Sequence, residues 1–169
     1  MIIIKAFILF FIFLASLRVG QIISGKYSSR VTELKEMKNG LNMFLTKIKF
    51  TYQSVPECFT DIGNNIDGNI GKIFSLSASL MKEKSAGEAW EKAVYLTQSF
   101  LNAEDKAIIK NLGRTLGQTD LEGQVSEIEI VQDFLNSQIE LAEKEKEKND
   151  KLYKTLGGVV GLAIVIILM

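Results

Sequence analysis

Residues 121–169 read LEGQVSEIEIVQDFLNSQIELAEKEKEKNDKLYKTLGGVVGLAIVIILM, three kinds of sequence joined without a proline. First comes an apolar stripe at helical spacing, Val125, Ile128, Val131, Leu135, Ile139 and Ala142, opened by a capping box of Thr119 and Glu122. Between Glu140 and Lys151 the stripe gives way to charge, with Glu140/Lys144 and Glu147/Lys151 paired four residues apart. From Leu156 to Met169 no charge remains. The expected reading is a helix that leaves a folded domain, becomes a solvated stalk over 140–151 and enters a bilayer at 154–169. At ~1.5 Å per residue the stalk holds the domain on the order of 15 to 20 Å from the membrane.

The other end carries a matching run. Ala6 to Leu17 is apolar, Ile2, Ile3 and Ile4 extend it upstream, and Val19, Ile22 and Ile23 extend it past Arg18. With Lys5 snorkelling, this reaches the roughly 20 residues a spanning helix needs. The second run stays short even with Leu152 and Tyr153, which calls for local thinning or a packing partner. A cleaved signal peptide is the rival for residues 1–24, but Ala15-Ser16-Leu17 places a leucine where a small residue is required. Basic residues cluster between the two spans, after the first (Arg18, Lys26, Arg30, Lys35, Lys38) and before the second (Lys144, Lys146, Lys148, Lys151, Lys154), and only Lys5 lies outside them. The intervening segment 25–153 is therefore expected in the cytoplasm, with both termini across the membrane. Cys58, the single cysteine, forms no intrachain disulfide and agrees with a reducing compartment.

Segment 25–153 has 17 basic against 20 acidic residues, a net charge of −3 that does not suit nucleic acid. About 129 residues form one domain with its own core. One proline and no alternating apolar runs point to an all-α, antiparallel helical bundle flanked by an N-terminal and a C-terminal transmembrane helix. The expected helices follow from periodicity and caps. Val31, Leu34, Leu41, Phe44, Leu45, Ile48 and Tyr52 form a long amphipathic helix ending before Pro56. Ser54 caps a short helix over Glu57 to Ile62, and Gly63 to Gly68 reads as a loop. Ile70, Ile73, Phe74, Leu76, Leu80 and Met81 mark the next helix. A Ser85/Glu88 capping box opens one running through Trp90, Ala93, Val94 and Phe100. Asn102 caps another carrying Ala107, Ile108, Leu112 and Leu116, with Gly117 as its left-handed terminator.

Catalytic chemistry finds few supports. Histidine is absent, which removes the commonest general base and transition-metal ligand. Cys58 has no histidine to activate it and reads as a buried small residue. Gly71-Lys72 fails as a phosphate loop, because Ile66 replaces the required glycine and Ile73 the magnesium-binding hydroxyl. The Asp61 to Gly68 stretch lacks the alternating ligands and closing glutamate of a calcium loop. Glu104 and Asp105 sit at a helix start, where carboxylates favour the dipole. No catalytic, metal or cofactor site is expected.

Two features point to interaction instead. Gly157 and Gly161 form a G-x-x-x-G pattern that lets another membrane helix approach closely, the nearest being the chain's own first span. The second is Leu112 to Gln124, in which Gly113, Leu116, Gly117, Asp120 and Gln124 form an elbow before the last helix. Its glycines serve either close helix packing or a docking surface.

That elbow, Leu-Gly-x-x-Leu-Gly-x-x-Asp-x-x-x-Gln over 112–124, together with Lys148-Asn149-Asp150-Lys151-Leu152-Tyr153 and the apolar tail, resembles the stage III sporulation protein AB family of endospore-forming bacteria. Glu122-Gly123 departs from it, since helix formers are expected there. The resemblance implies a likeness to the cytoplasmic helical domains of inner-membrane platform proteins in type II secretion and type IV pilus systems. It implies a scaffold subunit in the mother-cell membrane around the forespore, within a secretion-like channel apparatus. The partners it implies are a cytoplasmic secretion-type ATPase, other membrane subunits of the channel and membrane lipid, with homo-oligomerisation left open. It carries no catalytic residues. The alternative is a membrane-tethered helical sensor or adaptor, which small-molecule stabilisation of the domain would favour; an enzyme relying on carboxylates and lysines alone is the third reading.

Overall fold

Helix boundaries fall where the local chemistry stops a helix. A computed structural model describes every residue except Met1, Tyr52, Thr119 and Met169, and the side chains of Ile2, Ile3, Lys5 and Ala6 also lie outside the description. The expectations for Tyr52 in the first stripe, Thr119 as a cap, Lys5 as a snorkelling anchor and Met169 in the tail therefore fall on undescribed groups. The helices are α1 (Ile2–Phe50), α2 (Val55–Asn65), α3 (Gly68–Leu80), α4 (Ala86–Leu96), α5 (Ala103–Asn111) and α6 (Leu121–Leu168), with a 3-10 turn at Leu112–Arg114; no strand occurs among the described residues. The chain is an all-α protein with long apolar helices at its two ends, as the periodicity predicts.

Capping chemistry sets most starts. Pro56 lies in the first turn of α2, where its missing N–H is harmless, and the Glu57 carboxylate accepts from the Ser54 N–H at 3.0 Å. The Ser85 hydroxyl accepts from the Glu88 N–H to start α4. Asn102 and Asp105 close a reciprocal capping box at 2.8 and 2.9 Å, with Asp105 fully buried.

Three expectations are corrected. Gly63 belongs to α2, because a Cβ there would collide with the Ser75 hydroxyl, and one at Gly71 would collide with the Ile66 carbonyl; the glycines let α2 and α3 pack backbone to backbone. The loop shrinks to Ile66 and Asp67, with Gly68 at φ +76°. Helix α4 stops at Leu96, so Phe100 lies outside it, nearly half exposed. In α5 the buried apolar position is Ile109, while Ala107 is exposed.

Residues fall into two compact units, one of residues 32–140 and one of residues 1–31 with 141–169. In the first, Phe44, Phe59, Phe74 and Trp90 meet with ring centroids 4.9–5.3 Å apart and no exposed surface. Trp90 donates its indole N–H to the Ile109 carbonyl at 2.8 Å, so its one polar atom is satisfied inside the core. Glu33, also buried, accepts from the Asn69 amide at 2.7 Å and the Phe100 N–H at 2.6 Å, tying α1 to α3 and to the α4–α5 loop.

In the second unit the two chain ends run antiparallel. Ser16 donates to the Gly157 carbonyl at 2.7 Å, Ser24 donates to Asp150, and Arg30 pairs with Glu145 at 2.7 Å. Tyr27 stacks on Tyr153 with centroids 6.1 Å apart. Segment 140–151, expected as a solvated stalk, is mostly exposed, and over 141–151 it forms one half of a helix pair. Its partners lie more than a hundred residues away, beyond the reach of any local periodicity.

Candidate interaction sites

The elbow is built by close approach. Gly87 in the first turn of α4 and Gly113 in the 3-10 turn meet backbone to backbone; a Cβ on Gly87 would collide with the Gly113 carbonyl, and one on Gly113 would stand 3.1 Å from the Gly87 carbonyl. Gly113 and Leu116 are buried, and Gly117 turns the chain at φ +72°. Asp120 then caps α6, its carboxylate accepting from the Gly123 N–H at 3.0 Å and its carbonyl from the Gln124 N–H at 3.1 Å. The cap thus sits on Asp120, and Gly123 occupies the third helical position, where it supplies an N–H. Gln124 is half-buried. Of the five elbow residues, only Gly117 and Asp120 face solvent.

The terminal pair is assembled from small residues. A Cβ at Gly20 would stand 2.6 Å from the Tyr153 carbonyl oxygen, and one at Gly157 would stand 3.0 Å from the Ser16 carbonyl and 3.4 Å from the Gly20 Cα. Gly161 lies under Phe13 and Ser16, with a Cβ there 2.9 Å from the Phe13 ring. The structure thus places Gly157 and Gly161 against the chain's own first helix. Gly20, not singled out in the sequence although Ser16 and Ser24 stand four residues to either side of it, completes the face. Large side chains point outward: Phe7 is 65 % and Ile167 81 % exposed. Both helices are long and apolar enough to cross a membrane by length and composition.

Charges outside the spans follow their neighbours. Lys47 holds the Asp61 carboxyl below its usual value through an ion pair at 2.8 Å. Lys154 and Ser24 do the same for Asp150. Burial pushes the Cys58 thiol up, away from the thiolate a nucleophile needs. No group of three or more metal-ligating side chains occurs among the described residues.

A groove that sequence reading did not anticipate lies beside the α4–α5 loop. It has a volume of about 530 Å³ and is lined by Tyr95, Leu96, Phe100 and Lys106, among others. An adjoining depression shares Leu96 and reaches Lys72. The missed signal was the end of α4: Thr97, Gln98 and Ser99 form a polar break between two apolar residues that periodicity had joined.

Comparison with known proteins then bears on the whole chain. Residues 5–169 match the family described as stage III sporulation protein AB. Stage III sporulation protein AB of Bacillus subtilis (strain 168) is 26% identical over 164 residues, covering 94% of this chain and 95% of that protein. A solved structure of stage III sporulation protein AB superimposes with a TM-score of 0.65 at 20% identity, over 71% of this chain and 98% of the other. That likeness concerns the fold.

Proposed function

Because the chain belongs to the stage III sporulation protein AB family, we propose that it is a non-enzymatic platform subunit of a secretion-like channel apparatus between mother cell and forespore. In this reading both ends are anchored in the mother-cell membrane around the forespore, and the bundle lies in the cytoplasm. The observation that carries it is the inverted burial of the terminal helix pair, with small residues inside and large apolar ones outside, beside a bundle with a dense aromatic core. Such a pair suits lipid, where close backbone contact and interhelical hydrogen bonds, not water exclusion, hold helices together.

The elbow supplies the contact to a cytoplasmic secretion-type ATPase, through the exposed side formed by Gly117 and Asp120. The helix pair transmits that contact to the membrane and to other channel subunits. Asp120 has a structural duty as well, so the test must separate cap from charge. Asn caps a helix about as well as Asp, whereas Ala loses about 1 kcal/mol. Asp120→Asn should therefore leave the urea midpoint of the purified chain unchanged and lower spore yield at least tenfold, and Asp120→Arg should lower it further. Normal spore yield with Asp120→Arg at wild-type protein level removes the elbow from the partner contact.

A further inference from the structure

We infer that the groove beside the α4–α5 loop is a docking site for a second copy of this chain, and that its occupant is the outer face of that copy's α6. The groove presents three exposed apolar side chains, Tyr95, Leu96 and Phe100, at 81, 53 and 46 % exposure. Its charged lining consists of Lys72 and Lys106, and neither makes an ion pair among the described residues. The carboxylates Glu33 and Asp105 are both buried: Glu33 accepts from Asn69 and the Phe100 N–H, and Asp105 accepts from the Asn102 N–H. The site is thus basic and aromatic, on a unit (32–140) that carries 11 basic against 16 acidic residues.

The complement is on the same chain. From Leu121 to Glu140, α6 has five acidic residues and no basic one. Its buried stripe is Ile128, Val131 and Leu135; to one side of it Ile130 and Phe134, one turn apart, are 47 and 54 % exposed. Glu127 and Asp133 flank them at helical spacing and make no ion pair among the described residues, while Glu129 is occupied by Lys49 at 3.4 Å. Apolar contacts flanked by opposite charges favour this pairing. Groove against groove would oppose lysines, and α6 against α6 would oppose carboxylates, so a two-fold arrangement of either patch is disfavoured. The contact joins unlike patches; repeated head-to-tail it builds rings or filaments, whereas closed reciprocally it stops at a two-fold pair. Two-dimensional confinement of anchored copies raises their effective concentration, so a modest contact area suffices.

The experiment uses the full chain in its own membranes, with cysteines at the rim so that the aromatic contacts stay intact. Gln98→Cys and Ser137→Cys are placed on separately tagged copies and oxidised; Cys58 is fully buried and stays out of the reaction. Copies bearing only one of the substitutions should not crosslink among themselves. The mixture should give a disulfide-linked pair, and the doubly substituted chain a ladder. Lys72→Glu with Lys106→Glu should reduce the mixed product at least tenfold, and adding Glu127→Lys with Asp133→Lys should restore it. Trp90 fluorescence verifies folding in every variant. Absence of the mixed product, equal crosslinking of a single variant with itself, or failure of the charge swap to restore it each overturns the proposal. None of these outcomes touches the platform reading, which the Asp120 variants test separately.

Discussion

The bundle of residues 32–140 and the terminal pair of residues 1–31 with 141–169 solve the same packing problem with opposite materials. The bundle buries its largest side chains, Trp90, Phe44, Phe59 and Phe74, and, apart from the hydrogen-bonded Glu33 and Asp105, leaves its carboxylates and lysines at least partly exposed. The pair buries Gly20, Ser24, Gly157 and Gly161, and turns Phe7, Phe10, Phe11, Ile166 and Ile167 outward. In water the first arrangement is driven by removal of apolar area, roughly 1.5–3 kcal/mol for each large side chain. The second gains nothing that way and would expose a continuous apolar surface. The difference is what the proposed membrane reading of the terminal helices requires: two solvents for one polypeptide.

Substitutions in each region should therefore fail differently. Phe59→Ala removes the ring that touches Phe44, Phe74 and Trp90, and should destabilise the bundle by about 3–5 kcal/mol. Trp90, the single tryptophan, reports this directly by fluorescence during urea titration. A disulfide engineered at Ser24 and Asp150 should still form in that variant. Gly157→Leu should do the reverse, forcing the terminal helices apart at about 1–3 kcal/mol. The Ser24/Asp150 disulfide would then be lost with the Trp90 transition unchanged.

A finer contrast lies within α1. Gly20 and Gly25 are five residues apart, yet a Cβ at Gly20 meets a backbone carbonyl at 2.6 Å, and one at Gly25 meets nothing within 4 Å. Gly25→Ala should stabilise the helix by roughly 0.5–1 kcal/mol, and Gly20→Ala should weaken the pair. Thermal melts of the detergent-solubilised chain read both signs.

The smallest effects concern pH. Asp61 binds its proton more weakly when folded, because of Lys47. Its stabilisation is present above the unfolded carboxylate value and is lost as pH falls through the lower folded one. Glu36 is opposite: burial, Glu33 and Asp67 raise its pKa, so its ionised form opposes folding at neutral pH. That penalty fades as pH falls through the raised folded value toward the unfolded one. Asp61→Asn should flatten the acid limb of the stability profile, and Glu36→Gln should raise stability at pH 7, both measured by urea midpoints across pH 3 to 7.

The sequence was legible wherever a feature is local. Ser85 with Glu88, Asn102 at the start of α5, and a left-handed Gly117 appear where their chemistry predicts, although α5 ends at Asn111 and leaves Leu112 and Leu116 outside the helix expected to carry them. Gly63 misled because a glycine beside Asn64 and Asn65 looks like a turn, whereas its role is to admit α3. The helix ending at Leu96 was overrun because Phe100 falls in phase with it. Nothing local told that Ser24, Tyr27 and Arg30 face Asp150, Tyr153 and Glu145. Of the elbow, the glycines and the aspartate could be picked out by type, but that Gly113 seats Gly87 and that Asp120 caps α6 depends on three-dimensional placement.

The two-solvent account is tested most directly by cysteine labelling of the full chain in sealed membrane vesicles. Phe11→Cys, Val160→Cys and Lys84→Cys are treated, one at a time, with a membrane-impermeant maleimide supplied on both faces. The account predicts rapid labelling at 84 and none at 11 or 160 until detergent dissolves the bilayer. Labelling at 11 and 160 in intact vesicles, at the rate seen for 84, would contradict it.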